Sequence, residues 1–343
     1  MTDRSGPGVG PYRADGSTGP NRADQAVRAD QAHHAEWAAL GGPLDSGPTL
    51  TTRLATAGPT GLVALVEDPA ATLADRLAAG AVLALLGDPR TGERPAVRPV
   101  PGGPVEIGLP ADRVAAVTAA WAHVGVEEPW IAKENPAHRV VLADYWIGTY
   151  PVTNAEYRRY LADTPDAPRP RTWYLGAYPW DRGNHPVAGV RPADADGYAG
   201  WLTRRTGHPW RLPTEAEWEH AAKGPAGTDF PWGDRFDPAA ANTRETGVHT
   251  TTPVGAFPAG RSWCGAYDLA GNVEEYVADD YRPYPGGHPV HDDLVATIGR
   301  YRVARGGSFA RHGDLARTRR RHGGHPGPLY PIGFRLASSE QPR

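Results

Sequence analysis

Two stretches between residues 50 and 90 are rich in leucine, valine and alanine and predict helices. In "TLADRLAAGAVLALLGDPR" the apolar residues include Leu73, Leu77, Val82, Leu85 and Leu86. Thr72 precedes this run and offers a side-chain oxygen as a helix cap, and Gly87 with the following Asp-Pro ends it. The shorter stretch "TGLVALVEDP" predicts a helix that packs against it.

From residue 98 the pattern changes to that of a mixed domain. "VRPVPGGPVEIGLP" alternates apolar and polar residues around Gly-Gly, which predicts a β-hairpin. The chain then predicts a strand over 138–149, a turn at Pro151 and a helix capped by Thr153 or Asn154. "RPADADGYAGWLTRRTG" and "LPTEAEWEHAAKG" predict two further helices, the second of which begins at Pro213 and Thr214. With many Gly, Pro and Asn turns after them, the pattern indicates an α+β domain with few regular elements.

Charge and composition exclude several classes of protein. The 343 residues carry 36 Lys and Arg against 39 Asp and Glu, a net charge of −3. Such a chain lacks the positive field of a nucleic-acid or anionic-membrane binder. Neither a run of about 20 apolar residues nor an apolar leader is present. We therefore expect a cytoplasmic protein with no nucleic-acid and no membrane partner.

The single cysteine and the first residues add two expectations. Cys264 stands alone, so neither an intrachain disulfide nor a cysteine-based zinc or iron–sulfur site can form. Residues 1–45 are poor in branched aliphatic residues, and we expect most of them to be disordered.

The helical segment, residues 46–95, resembles a single HEAT-type repeat in "ADRLAAGAVLALLGDPR". One helix pair cannot bury its own apolar face. The segment should therefore pack on the following domain or on a protein partner. A structural cap is the favoured interpretation, and a docking surface stays open.

Several motifs in residues 98–340 together resemble one family. They are "LPTEAEWEHAAKG", "FPWGD", "GAYDLAGNVEEYVADDY", "RVARGGSF" and "IGFRLA", in this order. Their order and spacing are similar to those of the formylglycine-generating enzyme, or sulfatase-modifying factor, family. That family also includes the C-terminal domains of ergothioneine-type sulfoxide synthases and a pyoverdine-maturation protein. The resemblance implies a compact α+β domain related to C-type lectin-like folds, with little regular secondary structure.

The resemblance also implies a calcium site in "DLAGNVEE". Carried over residue by residue, its ligands are the Asp268 side chain, the carbonyls of Gly271 and Val273, and the Glu275 carboxylate. Such a set suits Ca²⁺, which takes six to eight oxygen ligands. The alternative is that the two acids are ordinary turn-capping residues.

A second calcium site of the family would use the Asn242 side chain and the carbonyls of Thr243 and Phe257. Gly255, however, stands where the family has an acidic ligand. Because the loss of an anionic ligand weakens a divalent-cation site, this second site is the less favoured of the two.

The catalytic loop of the family corresponds to "RGGSFARHGDLARTRRRH". Formylglycine-generating enzymes have a Ser followed by two Cu(I)-binding cysteines, and here Ser308 is retained while Arg311 and Ala316 replace the cysteines. Cu(I) is soft and requires thiolates, and one distant cysteine does not replace a pair. Copper-dependent oxidation of cysteine to formylglycine is therefore excluded. The iron site of the sulfoxide synthases is not expected either, since His33 and His34 are adjacent rather than four residues apart.

Histidines near the loop suggest another redox metal. His291 with Asp292 or Asp293, together with His312 or His322, would complete a facial Fe²⁺ site of two histidines and a carboxylate. The alternative is that they are solvated loop histidines.

The arginines of the loop have two interpretations. In the first, half of them are solvated and half are paired with acids, as the alternating faces of a β-rich domain predict. In the second interpretation the arginines form a pocket for an anionic substrate, since Arg binds carboxylate or phosphate through two hydrogen bonds. We take Ser308, Arg311, His312 and Arg319 as the catalytic residues of this pocket, with Arg317 binding the substrate.

Aromatic residues in "RTWYLGAYPWDRGNHP" lie on a loop that borders the substrate cleft in the family. Trp173, Tyr178 and Trp180 are accordingly candidate substrate-binding residues, with core packing as the alternative.

These observations favour an enzyme of the family that is not a formylglycine generator. We expect a metal-assisted, O₂-dependent oxidoreductase acting on a small molecule or a peptide, with Ca²⁺ and Fe²⁺ or another redox metal as cofactors. The alternative is a non-catalytic module that binds a ligand or a protein on the same lectin-like scaffold.

Overall fold

The computed structural model describes residues 54, 56–325, 327 and 330–342. The expected disorder of residues 1–45, and with it the two adjacent histidines, lies outside this range. The α-helices described are α1 Pro59–Val66, α2 Leu73–Leu86, α3 Val114–Trp121, α4 Glu128–Ala132, α5 Asn154–Asp163, α6 Pro192–Thr206, α7 Glu215–Lys223 and α8 Asp293–Ile298. The strands are β1 Val97–Val100, β2 Gly103–Ile107, β3 His138–Leu142, β4 Tyr145–Gly148, β5 Glu274–Asp280, β6 Arg302–Arg305, β7 His322–Gly323, β8 Ile332–Phe334 and β9 Ala337–Ser338.

Three small sheets organise the domain. β1, β4 and β9 form an antiparallel sheet, and β2 pairs with β3. The third sheet has the order β7-β6-β5-β8, in which β5 and β8 run parallel and the other pairs antiparallel. β5 and β6 are thus the two central strands of this sheet. The loop that follows β6 therefore begins at a central strand.

The predicted hairpin at Gly-Gly does not form. β1 pairs with β4, with Val100 opposite Tyr145, and β2 pairs with β3, with Gly103 opposite Leu142. Both ladders keep one register, so residues 97–107 run alongside residues 138–148 as one interrupted ribbon. At the interruption a Cβ on Gly102 would lie 2.3 Å from the Leu142 carbonyl oxygen. The glycine is therefore required because two segments of the chain approach closely, and not because the chain turns there.

The predicted helix caps are observed. The Thr72 side chain accepts a hydrogen bond from the Asp75 N–H at the start of α2. Thr153 and Glu156 form a capping box at the start of α5, and Thr214 and Glu217 form another at α7. These local signals explain why the helix starts were predictable from sequence.

The main core lies between α5, α6 and the central sheet. Tyr157, Tyr198 and Phe334 contact one another there, with ring centroids 5.4–6.4 Å apart. A second cluster surrounds Trp218 of α7. No helix in the described part of the chain combines the length and apolar character needed to cross a bilayer.

Helices α1 and α2 pack on the domain that follows them. Their buried leucines and valine share one apolar cluster with Ala256 and Phe257. Arg90, just after α2, donates to Glu67 Oε1 at 3.0 Å and to the Val254 carbonyl at 2.7 Å. The packing agrees with a structural cap on the domain, one of the two interpretations of this segment.

The arginines at positions 317 and 319–321 of the loop are buried, not half solvated. Arg317 binds both carboxylate oxygens of Glu134, at 2.9 and 2.7 Å. Arg305 and Arg321 bind Glu215 of α7, at 3.1 and 2.8 Å. The expectation of alternating solvated side chains was wrong because this segment is an irregular loop with acids on several sides.

Candidate functional site

Ser308 lies at the end of a tight glycine turn after β6. Gly306 and Gly307 adopt φ angles of 92° and 67°, and a Cβ on Gly307 would lie 2.9 Å from the Ala316 nitrogen. The Ser308 side chain is fully buried, and its Oγ has no hydrogen-bond partner among the described residues. Ala316, at one former cysteine position, is buried in an apolar cluster with Phe230.

Arg311, at the other former cysteine position, belongs to a polar cluster centred on Glu274. Its Nη2 donates to the Tyr330 hydroxyl at 2.8 Å, and its guanidinium stacks 4.8 Å from the Tyr330 ring centroid. Tyr330 in turn donates to Glu274 Oε1 at 2.8 Å. His322 Nδ1 lies 2.9 Å from Glu274 Oε2 and 3.1 Å from the Tyr330 hydroxyl. We call these four residues the Glu274 cluster.

The charges of this cluster follow from its burial. Burial favours the neutral carboxyl of Glu274, but His322, Arg311 and Tyr330 outweigh it and lower the Glu274 pKa. Burial also lowers the pKa of His322, with Glu274 opposing the shift in part. Because an ionised carboxylate only accepts hydrogen bonds, the His322 Nδ1 carries the proton that Glu274 binds. The other ring nitrogen, Nε2, then keeps its lone pair at neutral pH.

A cavity of about 170 Å³ adjoins the cluster. Tyr330 of the cluster forms part of its wall, together with residues 189–191 that precede α6. Polar and aromatic wall residues are Arg171, Arg191, Tyr276, His325 and Tyr330. Apolar and glycine wall residues are Gly189, Val190, Pro192, Gly324, Gly327 and Ile332. A buried acid–base cluster with a cavity against it is the arrangement expected of a site that moves protons.

The other predicted loop residues lie away from this cavity. His312 Nδ1 is 3.3 Å from Glu245 Oε1, at the surface. Arg319 is buried, donating to the carbonyls of Gly108 and Gly227 at 3.0 and 2.6 Å and to Asp229 at 2.8 Å. Since its donors, like those of Arg317, bind protein acceptors, these two arginines brace loops rather than face a ligand.

The aromatic candidates are divided between core and surface. Trp173 is buried and donates from Nε1 to the Asn154 side chain at 2.8 Å. Trp180 is 64% exposed, and the Arg158 guanidinium lies 4.2 Å from its ring and 4.7 Å from that of Tyr178. None of the three belongs to the wall described above, although Arg171 of the same loop does.

The first calcium set is engaged in protein contacts. Arg335 binds both oxygens of Glu275 at 2.6 Å, and Trp218 Nε1 donates to Oε2 at 2.7 Å. Asp268 accepts from the Gly255 N–H at 2.8 Å and from Asn272 at 3.2 Å. Burial nevertheless raises the Asp268 pKa to about 6. Gly271 and Val273 are buried in the turn between these two acids. Arg335 thus supplies the positive charge that Ca²⁺ would bring to Glu275.

Of the residues predicted for the second calcium site, some suit a cation and one position does not. Asn242 is buried, and its Oδ1 has no hydrogen-bond partner among the described residues, which suits a cation ligand. Thr243 is buried beside it, with its N–H donating to Thr246 Oγ1 at 3.2 Å. At Gly255, where the family has an acid, a Cβ would lie 3.2 Å from both Arg90 Nη1 and Glu67 Oε1, which form an ion pair. The Glu67 carboxylate thus lies near this position but is already paired with Arg90, and both calcium sites stay predictions.

The facial iron site is not assembled. Within the described residues no group of three His, Cys, Asp or Glu side chains is placed to hold a metal. His291 is exposed, while Asp292 is buried and forms an ion pair with Lys133. His322 instead belongs to the Glu274 cluster. This prediction failed because proximity along the chain did not bring the side chains together.

Sequence reasoning missed Glu274, Tyr330, Arg171, Arg191 and Tyr276. Glu274 and Glu275 are consecutive on the buried strand β5, so their side chains point to opposite faces. One meets Arg335 and the other meets His322. Two adjacent acids in a buried strand were the available signal for a partner on each face.

Comparison with known proteins places this site in a family. The fold and the Ser308 loop define a formylglycine-generating-enzyme-like domain, and the family model described as the sulfatase-modifying factor enzyme 1-like domain matches residues 85–340. The chain belongs to this family, and the predictions of family and fold are confirmed.

Individual relatives differ in what they do. The chain is 33% identical over 240 residues to hercynine oxygenase of Mycolicibacterium thermoresistibile, covering 58% of this chain and 52% of that protein. It is 26% identical over 266 residues to the formylglycine-generating enzyme of Mus musculus, covering 61% and 69%. PvdO from Pseudomonas aeruginosa superimposes with a TM-score of 0.54 at 26% identity, over 71% of this chain and 94% of that one. The chain thus spans about half the length of the curated oxygenase.

Proposed function

We propose that this chain is the formylglycine-generating-enzyme-like domain of an oxidoreductase that performs a metal-assisted, O₂-dependent oxidation of a small molecule or a peptide. The Glu274 cluster beside its cavity is the observation that carries the proposal. The similarity to an oxygenase supports the choice of reaction type. Because the chain spans only part of that relative, the substrate and any further domain are also part of the proposal.

The cluster supplies proton transfer. Neutral His322 accepts a proton at Nε2 from the substrate, while Glu274 fixes the ring through Nδ1 and stabilises the imidazolium that forms. Tyr330 and Arg311 hold the carboxylate of Glu274 ionised through hydrogen bonds and charge. A buried base whose pKa lies below its usual value is ready to act at neutral pH.

Copper does not fit this site. The two thiolate positions hold Arg311 and Ala316, and a guanidinium repels a cation. Iron is the redox metal that we propose. Among the described residues, no three His, Cys, Asp or Glu side chains form a cluster that could hold it. No step of the reaction is derived through it.

The proposal is tested by metal content and oxygen uptake together. Full-length protein purified without a metal-binding tag is analysed for copper, iron, manganese and calcium per chain. Oxygen uptake is then recorded with hercynine and a thiol, and with thiol peptides. We expect near-stoichiometric iron and substrate-dependent uptake, reduced at least 100-fold in His322→Gln.

The matched control is His123→Gln, an exposed histidine just after α3 that belongs neither to the Glu274 cluster nor to the wall of its cavity, and this variant should keep full uptake. Calcium alone, with no uptake for any of these compounds, would contradict the oxidoreductase and favour the non-catalytic binding module. An equal loss of oxygen uptake in His322→Gln and His123→Gln would show that His322 has no specific role in the reaction.

A protein partner of the helical segment is a further part of the proposal. Leu85 and Leu86, at the end of α2, are 73% and 62% exposed, although the rest of the pair packs on the domain. Two adjacent exposed leucines suit a contact with another protein. The double variant Leu85→Ser, Leu86→Ser should abolish co-purification of such a partner without changing the unfolding temperature, and unchanged co-purification would remove this support.

A further inference from the structure

The cavity beside the Glu274 cluster has a positive rim that the reaction proposed above does not use. Arg171 is exposed, and its side chain forms no salt bridge with a described residue. Its backbone N–H donates to the Gly189 carbonyl at 3.0 Å, which fixes the loop against the cavity. Gly189 has a φ of 72°, and a Cβ there would lie 3.0 Å from the Thr172 nitrogen, so the close approach requires glycine.

Arg191 provides the second positive group. It is held at the start of α6 by Asp194, with Nε to Oδ2 at 3.0 Å and Nη2 to Oδ1 at 2.7 Å. These bonds leave Nη1 without a partner in the described part of the chain, and the side chain is 56% exposed. Asp194 therefore orients the guanidinium while it neutralises one of the two arginine charges.

The helix itself adds to the same field. α6 has 15 residues, and Pro192 at its first position lines the cavity, so the positive end of the helix dipole faces it. The Tyr276 ring is buried, and its hydroxyl lies against Gly324, where a Cβ would come within 2.8 Å. Two arginines, a helix start and a hydroxyl thus border one small space.

We propose that this cavity binds the carboxylate of a small organic acid, with Arg171 and Arg191 as its recognition residues. The guanidinium fork of Arg171 matches the two oxygens of a carboxylate, and Arg191 adds a donor from Nη1. Val190, Pro192 and Ile332 form an apolar wall for a short organic body, and a volume of about 170 Å³ excludes a large one. The acid end lies on the rim, and the rest of the molecule faces the ring of Tyr330.

This inference rests on the proposed function in one respect, namely that the cavity is the substrate site. Binding is measured without turnover, so the two fail separately. If carboxylate binding depends on Arg171 while His322→Gln keeps full oxygen uptake, the site stands and the proposed reaction does not. If His322→Gln is inactive while Arg171→Gln binds carboxylates normally, the proposed reaction stands and the carboxylate site does not.

The experiment compares benzoate with benzamide, which has nearly the same shape and no charge. Isothermal titration of the full chain should give benzoate an affinity at least about tenfold higher than benzamide. Arg171→Gln should lower the benzoate affinity about tenfold or more and leave benzamide unchanged. The benzoate affinity of Arg171→Lys should lie between those of the unchanged protein and of Arg171→Gln, because lysine keeps the positive charge but lacks the two-pronged guanidinium.

The matched control is Arg169→Gln, two residues away on the same loop, whose Nη1 binds the Gly176 carbonyl and which does not line the cavity. It should bind benzoate as the unchanged protein does. Equal binding of benzoate and benzamide, or equal effects of the two arginine variants, would overturn the proposal. So would inorganic phosphate binding more tightly than benzoate, since the site would then be one for phosphate.

Discussion

The protonation state of His322 depends on the groups around it. Burial lowers its pKa, and Glu274 partly restores it through a hydrogen bond of 2.9 Å. The pair therefore sets two properties at once: the neutral state of the ring, and the nitrogen that bears its proton. Arg311, in place of a family cysteine, keeps Glu274 ionised. The residue that replaces a copper-binding cysteine of the family thus belongs here to the Glu274 cluster.

At this scale the prediction concerns the titration of His322. The ring should titrate below about 6.5, the ordinary histidine value, and Glu274→Gln should lower its pKa further, because Glu274 favours the charged ring. Histidine side-chain NMR over a pH series measures both. Glu245→Gln, an acid beside His312, should leave the His322 curve unchanged. A higher His322 pKa in Glu274→Gln would show that the two groups are not coupled as described.

Among the elements, α7 is the one that organises the buried arginines. Glu215, Glu219 and Lys223 recur every four residues on one face of this helix. Glu219 accepts from Arg305 at 2.6 Å, from Lys223 at 3.0 Å and from the Gly108 N–H at 2.8 Å. One helix face thus connects the segment just after β2 to the end of β6, where the loop that carries Ser308 begins.

Glu219→Gln should therefore be strongly destabilising. Breaking a buried ion pair costs about 3–5 kcal/mol, and urea unfolding near neutral pH measures the difference. Burial opposes the charge of Glu219, but Lys223, Arg305 and the Gly108 N–H outweigh it and lower its pKa to about 2. This folded-state pKa lies below the ordinary value of about 4.5, so the stabilisation is present above that pH and lost as the pH falls towards 2. The gap between the two proteins should narrow over this range, and a constant gap would contradict the assignment.

For the whole molecule, the arrangement depends on how α1 and α2 dock. Gly80 lies inside α2, and a Cβ there would be 2.2 Å from Pro253 Cγ. Asn184 Nδ2 reaches the Gly80 carbonyl at 2.9 Å and Asp88 at 3.0 Å. The helix pair is therefore fitted to the loop of residues 250–257, which belongs to the same apolar cluster.

Two glycine substitutions test this docking. Gly61→Ala in α1 meets only Ala57 Cβ at 3.4 Å and should stabilise the protein by about 0.5–1 kcal/mol, as alanine does in a helix. Gly80→Ala has the same helical preference but must displace Pro253, so it should lower the unfolding temperature by several degrees. The unfolding temperatures of both variants show whether α2 packs against Pro253. Stabilisation by both would mean that α2 does not pack against Pro253.

The sequence alone determined what depends on near neighbours. The caps at Thr72, Thr153 and Thr214 were predictable because a hydroxyl and an N–H two or three residues away suffice. The family was recognisable because its motifs are contiguous, and the loss of copper chemistry followed from two residue types at known spacing.

Only the tertiary structure decided which charged groups meet. Arg317 and Arg319 were assigned to a pocket, but their partners Glu134 and Asp229 are distant in sequence and no local signal announces them. Glu274 and His322 are 48 residues apart and meet only because β5, β6 and β7 share one sheet. Ion pairs and hydrogen bonds act over a few ångströms, so the same residue types become a structural brace or a proton-transfer site according to the packing around them.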